Sequence, residues 1–67
     1  MNDRRRSEWH RLIGVRVNVW KGGAFLRTGV VEIAAASGTT AWIAVDGIES
    51  RMMIEKDAGY ELSKPHP

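Results

Sequence analysis

The feature that most constrains the fold is a change in the spacing of apolar residues near residue 13. Before that point apolar residues recur every three or four positions, as they do in a helix. Beyond it they alternate with polar residues in short runs that are separated by glycine-containing turns. This pattern predicts a mostly β domain of short antiparallel strands, preceded by a short helix or an arm.

The first two predicted strands carry the clearest alternation. In the first strand Val15, Val17 and Val19 face inward, so Trp20 is expected to point outward. The second strand is predicted from residue 25 to residue 36, and Gly29 within it indicates a bulge or a bend. We expect Val31, Ile33 and Ala35 to face inward along this strand and Thr28 and Glu32 to face outward.

The Asp46-Gly47 pair predicts a tight hairpin, because a two-residue turn needs left-handed backbone angles at its centre. The third strand precedes it at residues 41–45, and the fourth follows it at residues 48–54. A turn at residues 57–59 then leads to a short fifth strand at residues 60–62. The predicted inward residues are Ile43 and Val45 on the third strand and Met52 and Ile54 on the fourth, with Arg51, Met53 and Glu55 on the opposite face.

Residues 1–12 form a basic N-terminal arm or a short helix, residues 13–62 the β domain, and residues 63–67 a disordered tail. A helix this short is marginal in water, so it forms only where its apolar side chains dock on the rest of the protein. Otherwise the segment is a frayed basic arm. The predicted helix has Asn2 or Asp3 as its cap, Trp9, Leu12 and Ile13 as its apolar face, and Gly14 as its stop.

The chain has 67 residues, which is enough for one small core. Cysteine is absent, so disulfides and thiolate zinc sites are excluded, and good packing or self-association remains to add stability. No apolar run is long enough to span a membrane, and the charged start Met1–Arg6 is not followed by the apolar stretch of a secretory signal. We therefore expect a cytoplasmic protein.

The predicted strands carry a fold-level resemblance. The segments Gly14–Val19, Thr28–Val31 and Trp42–Gly47, in a meander of five short strands, resemble the small β-barrels of the Src-homology-3 type, and among them the KOW and Tudor-like modules. The resemblance covers residues 14–62 and implies a five-stranded antiparallel barrel that binds RNA, DNA, methylated side chains, peptides or another copy of itself. Trp20, Trp42 and Tyr60 supply at most a thin aromatic cage of the kind that holds methylated lysine.

Charge is unevenly distributed along the chain, whose formal net charge is +2. Residues 1–31 hold seven Arg and Lys against two acids, whereas residues 32–67 hold three against six. If the two halves fold onto different faces, one face is suited to phosphates. If the strands interleave, the charges cancel.

The sequence argues against catalysis. The two histidines, His10 and His66, fall in segments expected to be mobile, and a general base must be held rigidly near its target. Carboxylates such as Glu32, Asp46 and Asp57 are explained as solvated charges or turn formers. No metal-ligand spacing or phosphate-binding glycine loop occurs, so no catalytic residue, metal or cofactor is predicted.

The three tryptophans are the most informative candidates. Trp20 and Trp42 have the parity opposite to the inward valines and Ile43, which places both rings outward. Three explanations stay open. The rings form a stacking platform for bases, Trp42 packs under the N-terminal helix against Trp9 and Leu12, or the rings lie in a dimer interface.

The leading hypothesis is a non-enzymatic module that binds nucleic acid through a basic and aromatic surface, with cations on the phosphates and rings on the bases. The alternative is a small structural or adaptor protein that homodimerises or docks on a protein partner through the outward tryptophans. A partly frayed, solvated end is the simpler explanation of the N-terminal arginines. The candidate nucleic-acid-binding residues are Arg4, Arg5, Arg6, Arg11, Arg16, Trp20, Lys21, Arg27 and Trp42.

Overall fold

The computed structural model of the chain describes residues 8–65. The predicted caps Asn2 and Asp3 and the three arginines at positions 4–6 lie outside the described residues. No helix within residues 8–65 has the length and apolar character needed to cross a bilayer. The elements are α1 (Glu8–Arg11), β1 (Arg16–Lys21), β2 (Ala24–Ala34), β3 (Thr40–Ile43), β4 (Met52–Glu55), a 3₁₀ helix (Lys56–Ala58) and β5 (Tyr60–Ser63).

The five strands form one antiparallel sheet in the order β4-β3-β2-β1-β5. The long strand β2 is shared: it pairs with β1 up to Val30 and with β3 from Val31 onward. The mostly β character and the antiparallel five-strand arrangement are therefore confirmed. The described pairings leave β4 and β5 at the two ends of the sheet, so closure into a barrel stays a prediction.

The core lies on one face of this sheet, which we call the inner face. Val17, Val19, Ile43 and Ile54 are all fully buried there, as the alternation predicts. Trp9 of α1 and Leu12, which follows the helix directly, pack in the same cluster, so α1 docks on the sheet. Ile13, in contrast, is 43% exposed and does not share their burial. Ser63 lies in β5, one residue beyond the predicted end of the domain.

Two β-bulges interrupt the pairing of β2, and neither lies at Gly29. The first bulge is at Leu26, an additional residue of β2 that faces the step from Val19 to Trp20 on β1. The second is at Glu32, an additional residue between Val31 and Ile33 of β2, opposite β3. A bulge reverses the inward and outward parity that follows it. The prediction that Ile33 and Ala35 face inward is therefore wrong: both are exposed, and Ala34 is buried instead.

Gly29 has a packing role. It pairs regularly with Val17, and a Cβ atom built on it would collide with the Cγ2 atom of Ile43. The glycine lets β2 approach the core side chain of β3 closely, which is a second known use of glycine in strands. Of the two features predicted at this position, the bulge is therefore wrong and the bend stays a prediction, whereas the need for a glycine there is real.

The β3–β4 connection is a hairpin whose tip is displaced by one residue from the prediction. Asp46 and Glu49 exchange both backbone hydrogen bonds, at 2.9 Å each, so the central residues are Gly47 and Ile48 rather than Asp46 and Gly47. Of these two central residues, Gly47 has a positive φ, of 61°, and Ile48 does not. Because β3 ends at Ile43, Val45 lies in the connection and is 66% exposed, which corrects its predicted inward position.

Candidate binding surface

Each bulge turns one apolar side chain of β2 onto the outer face, opposite a tryptophan. Phe25 directly precedes the additional residue Leu26 and pairs with Trp20, and Ile33 directly follows the additional residue Glu32 and pairs with Trp42. Phe25 and Ile33 are 53% and 54% exposed. Both residues are apolar, and strict alternation would have put both in the core. The two bulges thus create two outward apolar and aromatic clusters, one near each end of β2.

The larger cluster spans three neighbouring strands. Trp42 on β3 lies directly between Ile33 on β2 and Met53 on β4, which is 46% exposed. The Arg51 guanidinium carbon lies 4.1 Å from the centre of the Trp42 ring, and Arg51 Nε donates to Glu32 Oε1 at 2.6 Å. We call these five residues, Glu32, Ile33, Trp42, Arg51 and Met53, the Trp42 face.

The Trp42 indole is half-buried, and its N–H group has no acceptor within residues 8–65. Buried or interfacial tryptophans usually find a partner for this donor. The Arg51 guanidinium lies over the ring and also forms an exposed ion pair with Glu32. The Trp42 face therefore presents an apolar row with an open donor at its centre.

The side chains of the smaller cluster, Trp20 and Phe25, already have partners within the protein. The Trp20 and Phe25 rings make an edge-to-face contact with centroids 5.6 Å apart, and Trp20 Nε1 donates to Ser63 Oγ at 2.9 Å. The strand length between Phe25 and Ile33 is about 26 Å at about 3.3 Å per residue. Trp20 and Trp42 therefore belong to two separate surfaces, and they do not form one stacking platform. Nor does Trp42 pack with Trp9, which lies in the core on the inner face.

Arg27 differs most from its predicted role as a surface cation. It is 7% exposed, because it pairs with the buried Val19 and so lies on the inner face beside Gly29. Its guanidinium donates to three backbone carbonyls: Thr28 O at 3.0 Å, Ala44 O at 3.1 Å and Ser50 O at 2.5 Å. Two of these acceptors lie in the β3–β4 connection. Arg27 thus anchors that connection to β2, where it cannot meet a phosphate.

The remaining predicted cations are scattered. Arg16 Nη1 donates to Asp46 Oδ2 at 2.9 Å, and Lys21 Nζ lies 5.1 Å from the centre of the Tyr60 ring. Arg11 is exposed at the end of α1. Residues 8–65 hold seven basic and seven acidic side chains, so the net charge of +2 is carried by residues 1–7. The described part of the chain has no excess positive charge to offer a phosphate backbone.

The Arg16–Asp46 pair gives a pH-dependent prediction. The hydrogen bond from Arg16, together with its charge, lowers the pKa of the Asp46 carboxyl below its ordinary value of 3.8, and the charge of Arg27 acts in the same direction. A carboxyl whose pKa is depressed by folding stabilises the protein above the unfolded pKa and ceases to do so as the pH falls through the folded value. In a carboxyl ¹³C NMR titration, Arg16→Gln should raise the pKa of Asp46, whereas Arg51→Gln, which removes the partner of Glu32 only, should leave it unchanged. Equal titration curves in the wild type and Arg16→Gln would contradict the assignment.

Sequence reasoning identified Trp42 but missed Ile33, Met53, Arg51 and Glu32 as its neighbours. Met53 was predicted to face outward, and the structure confirms that, but Ile33 was assigned to the core. The available signal was the run Val30-Val31-Glu32-Ile33, in which a charged residue between two β-branched ones is compatible with a bulge as well as with alternation.

Comparisons of the chain with protein-family models, with curated proteins and with solved structures find no match.

Proposed function

We propose that this chain is a non-enzymatic binding module, a small barrel of the Src-homology-3 type, that docks on a protein partner through the Trp42 face. One observation carries the proposal: two bulges in one strand turn apolar side chains outward beside tryptophans. Bulges are common where a strand must re-aim a side chain for a functional purpose. Support for the barrel comes from the strand order, in which β5 returns to pair with β1 after a meander of four strands.

The chemistry of the Trp42 face defines the partner. The row formed by Ile33, Trp42 and Met53 is suited to apolar side chains, and interfaces are enriched in aromatic residues, Met and Arg. The open indole N–H of Trp42 is suited to a carbonyl or carboxylate acceptor on the partner. Arg51 and Glu32 form one ion pair at the border of the row, which gives it the polar rim of a typical protein interface.

Site-specific photo-crosslinking tests this proposal in cells of the source organism. A benzophenone amino acid at position 33 should capture one protein repeatedly, because the side chain lies in the interface. The same amino acid at position 25 is the matched control, since Phe25 and Ile33 are 53% and 54% exposed and each lies next to the additional residue of a bulge. Equal capture at both positions, or capture of nucleic acid at position 33, would count against docking through the Trp42 face.

Nucleic-acid binding remains as a second proposal, and the charge distribution along the chain supports binding through the N-terminal segment. Arg4, Arg5 and Arg6 are adjacent in the sequence and lie in the segment that carries the net positive charge. Three phosphate contacts would give a modest, sequence-independent affinity for duplex DNA. The logarithm of the binding constant would fall with the logarithm of the salt concentration with a slope of about −2.7. Affinity that does not change between low and moderate salt would exclude this mode of binding.

A further inference from the structure

The free edge of β5 borders a cleft that none of the roles above uses. The cleft has a volume of about 360 Å³, within the range of natural ligand sites. One of its walls is a continuous stretch of chain that includes the start of β5, and the other comes from α1 and the 3₁₀ helix. Its lining residues are Trp9 and Lys56 on one side and Gly59, Tyr60, Glu61 and Leu62 on the other.

Backbone geometry shows which groups of β5 face this edge. Gly22 N donates to Gly59 O at 3.1 Å, so hydrogen-bonded pairs alternate from that point along the β1–β5 ladder. Glu61 and Ser63 then direct their amide and carbonyl groups toward β1. Tyr60 and Leu62 direct theirs away from it. Within residues 8–65 these outward groups have no backbone partner in an adjoining strand, because β5 is the last strand of the sheet.

The side chains at the cleft combine apolar walls with positive charge. Tyr60 and Leu62 are half-buried, and Trp9 closes the inner end. Lys56 Nζ lies 5.3 Å from the centre of the Trp9 ring, and Lys21 Nζ lies 5.1 Å from that of Tyr60. Two acidic residues lie nearby: Asp57, which follows Lys56 in the chain, and Glu61, which lines the cleft. Glu61 pairs with Trp20 across the sheet, so its side chain lies on the outer face. The cations are therefore the charges placed over the aromatic walls.

We propose that the cleft binds an extended peptide segment that adds as a sixth strand beside β5 and carries an acidic side chain near Lys56. The main chain of the peptide would bond to the amide and carbonyl groups of Tyr60 and Leu62, which gives affinity. Its apolar side chains would lie against the half-buried Tyr60 and Leu62, and a carboxylate beside Lys56 would give preference for acidic sequences. None of the residues that line the cleft belongs to the Trp42 face, so either proposal can fail without the other.

Amide hydrogen exchange measured by NMR tests the proposal with defined probes. One probe is a blocked hexapeptide of alternating valine and aspartate, and the matched control has lysine in place of aspartate. Saturation with the aspartate peptide should slow exchange at Tyr60 and Leu62 at least about five-fold while Glu61 and Ser63, already paired with β1, change little. The lysine peptide should need a several-fold higher concentration. No slowing at Tyr60 and Leu62, or equal effects of the two peptides, would overturn the proposal.

Two altered proteins separate binding from folding. Lys56→Glu should lower the affinity for the aspartate peptide about five-fold. Lys64→Glu, just beyond β5, should change that affinity less than two-fold. N-methylation of the Leu62 amide nitrogen in a synthetic chain should abolish binding without altering the melting temperature, because that donor points away from β1. Retained binding by the N-methylated chain would overturn the proposal. So would amides of Tyr60 and Leu62 that become protected as the protein concentration rises, since a second copy would then occupy the edge.

Discussion

Replacing Arg27 by methionine is expected to destabilise the protein by about 2–4 kcal/mol, which leaves much of it unfolded at 25 °C. The guanidinium donates to the carbonyls of Ala44 and Ser50 as well as to Thr28 O. Hydrogen bonds to charged groups contribute about 1.5–3 kcal/mol, and acceptors left without a donor add their desolvation cost. A core of this size rarely supplies more than about 3–5 kcal/mol in all.

Urea denaturation followed by tryptophan fluorescence measures this effect. Arg27→Lys is the informative control, because lysine keeps the charge but cannot reach three carbonyls in the fixed geometry of a guanidinium. The free energy of unfolding of Arg27→Lys should lie between those of the wild type and Arg27→Met. Native-state amide exchange should show the β3–β4 connection, residues 44–51, opening first in the lysine variant. A methionine variant as stable as the wild type would mean that Arg27 does not anchor the connection.

Gly29→Ala is the second substitution with a large expected effect, a loss of about 1–3 kcal/mol or more. The backbone of Gly29 has a φ that other residues adopt, so the cost is not conformational. It comes from the added methyl group, which meets Ile43 Cγ2 and lies 3.2 Å from Arg27 Nη2. Ile43 is fully buried and has little room to move.

A double-mutant cycle isolates this contact. Ile43→Leu removes the Cγ2 branch while it keeps the side-chain volume, so Gly29→Ala should cost at least about 1 kcal/mol less in that background than in the wild type. Chemical denaturation of the four proteins provides the measurement. Equal costs in both backgrounds would show that the methyl group is accommodated elsewhere.

The sequence was sufficient to predict the five strands, because periods of two and glycine turns report directly on local backbone structure. It was also sufficient for the core residues before the second bulge, such as Val17, Val19 and Val31. The sequence did not predict the positions at which the alternation of inward and outward residues changes. A bulge shifts the register by one residue, and its position depends on how two strands meet rather than on either strand alone. Ile33 and Ala35 are both errors of this kind. The hairpin tip at Gly47-Ile48 has another cause, because the register of β3 and β4 continues without a shift to the Asp46–Glu49 pair.

The candidate surface was harder to predict for a related reason. Arg27 is a charged residue expected at the surface, yet it lies on the inner face opposite Val19, and only the tertiary structure supplies the three carbonyls that accept its hydrogen bonds. Trp20 and Trp42 have the same parity in the sequence, but the length of β2 keeps them apart. Parity predicts the face on which a side chain lies. It does not predict which side chains on that face are neighbours.

Affinity for the protein captured at position 33 tests the central proposal most directly. Isothermal titration calorimetry should compare the wild type with Ile33→Thr and Phe25→Thr, two changes that remove equally exposed apolar side chains and keep residues suited to a strand. We predict that Ile33→Thr weakens binding by about 1–2 kcal/mol, or roughly 5- to 30-fold. Phe25→Thr should bind like the wild type. If both variants bind as tightly as the wild type, or if Phe25→Thr is the weaker, the protein does not dock through the Trp42 face.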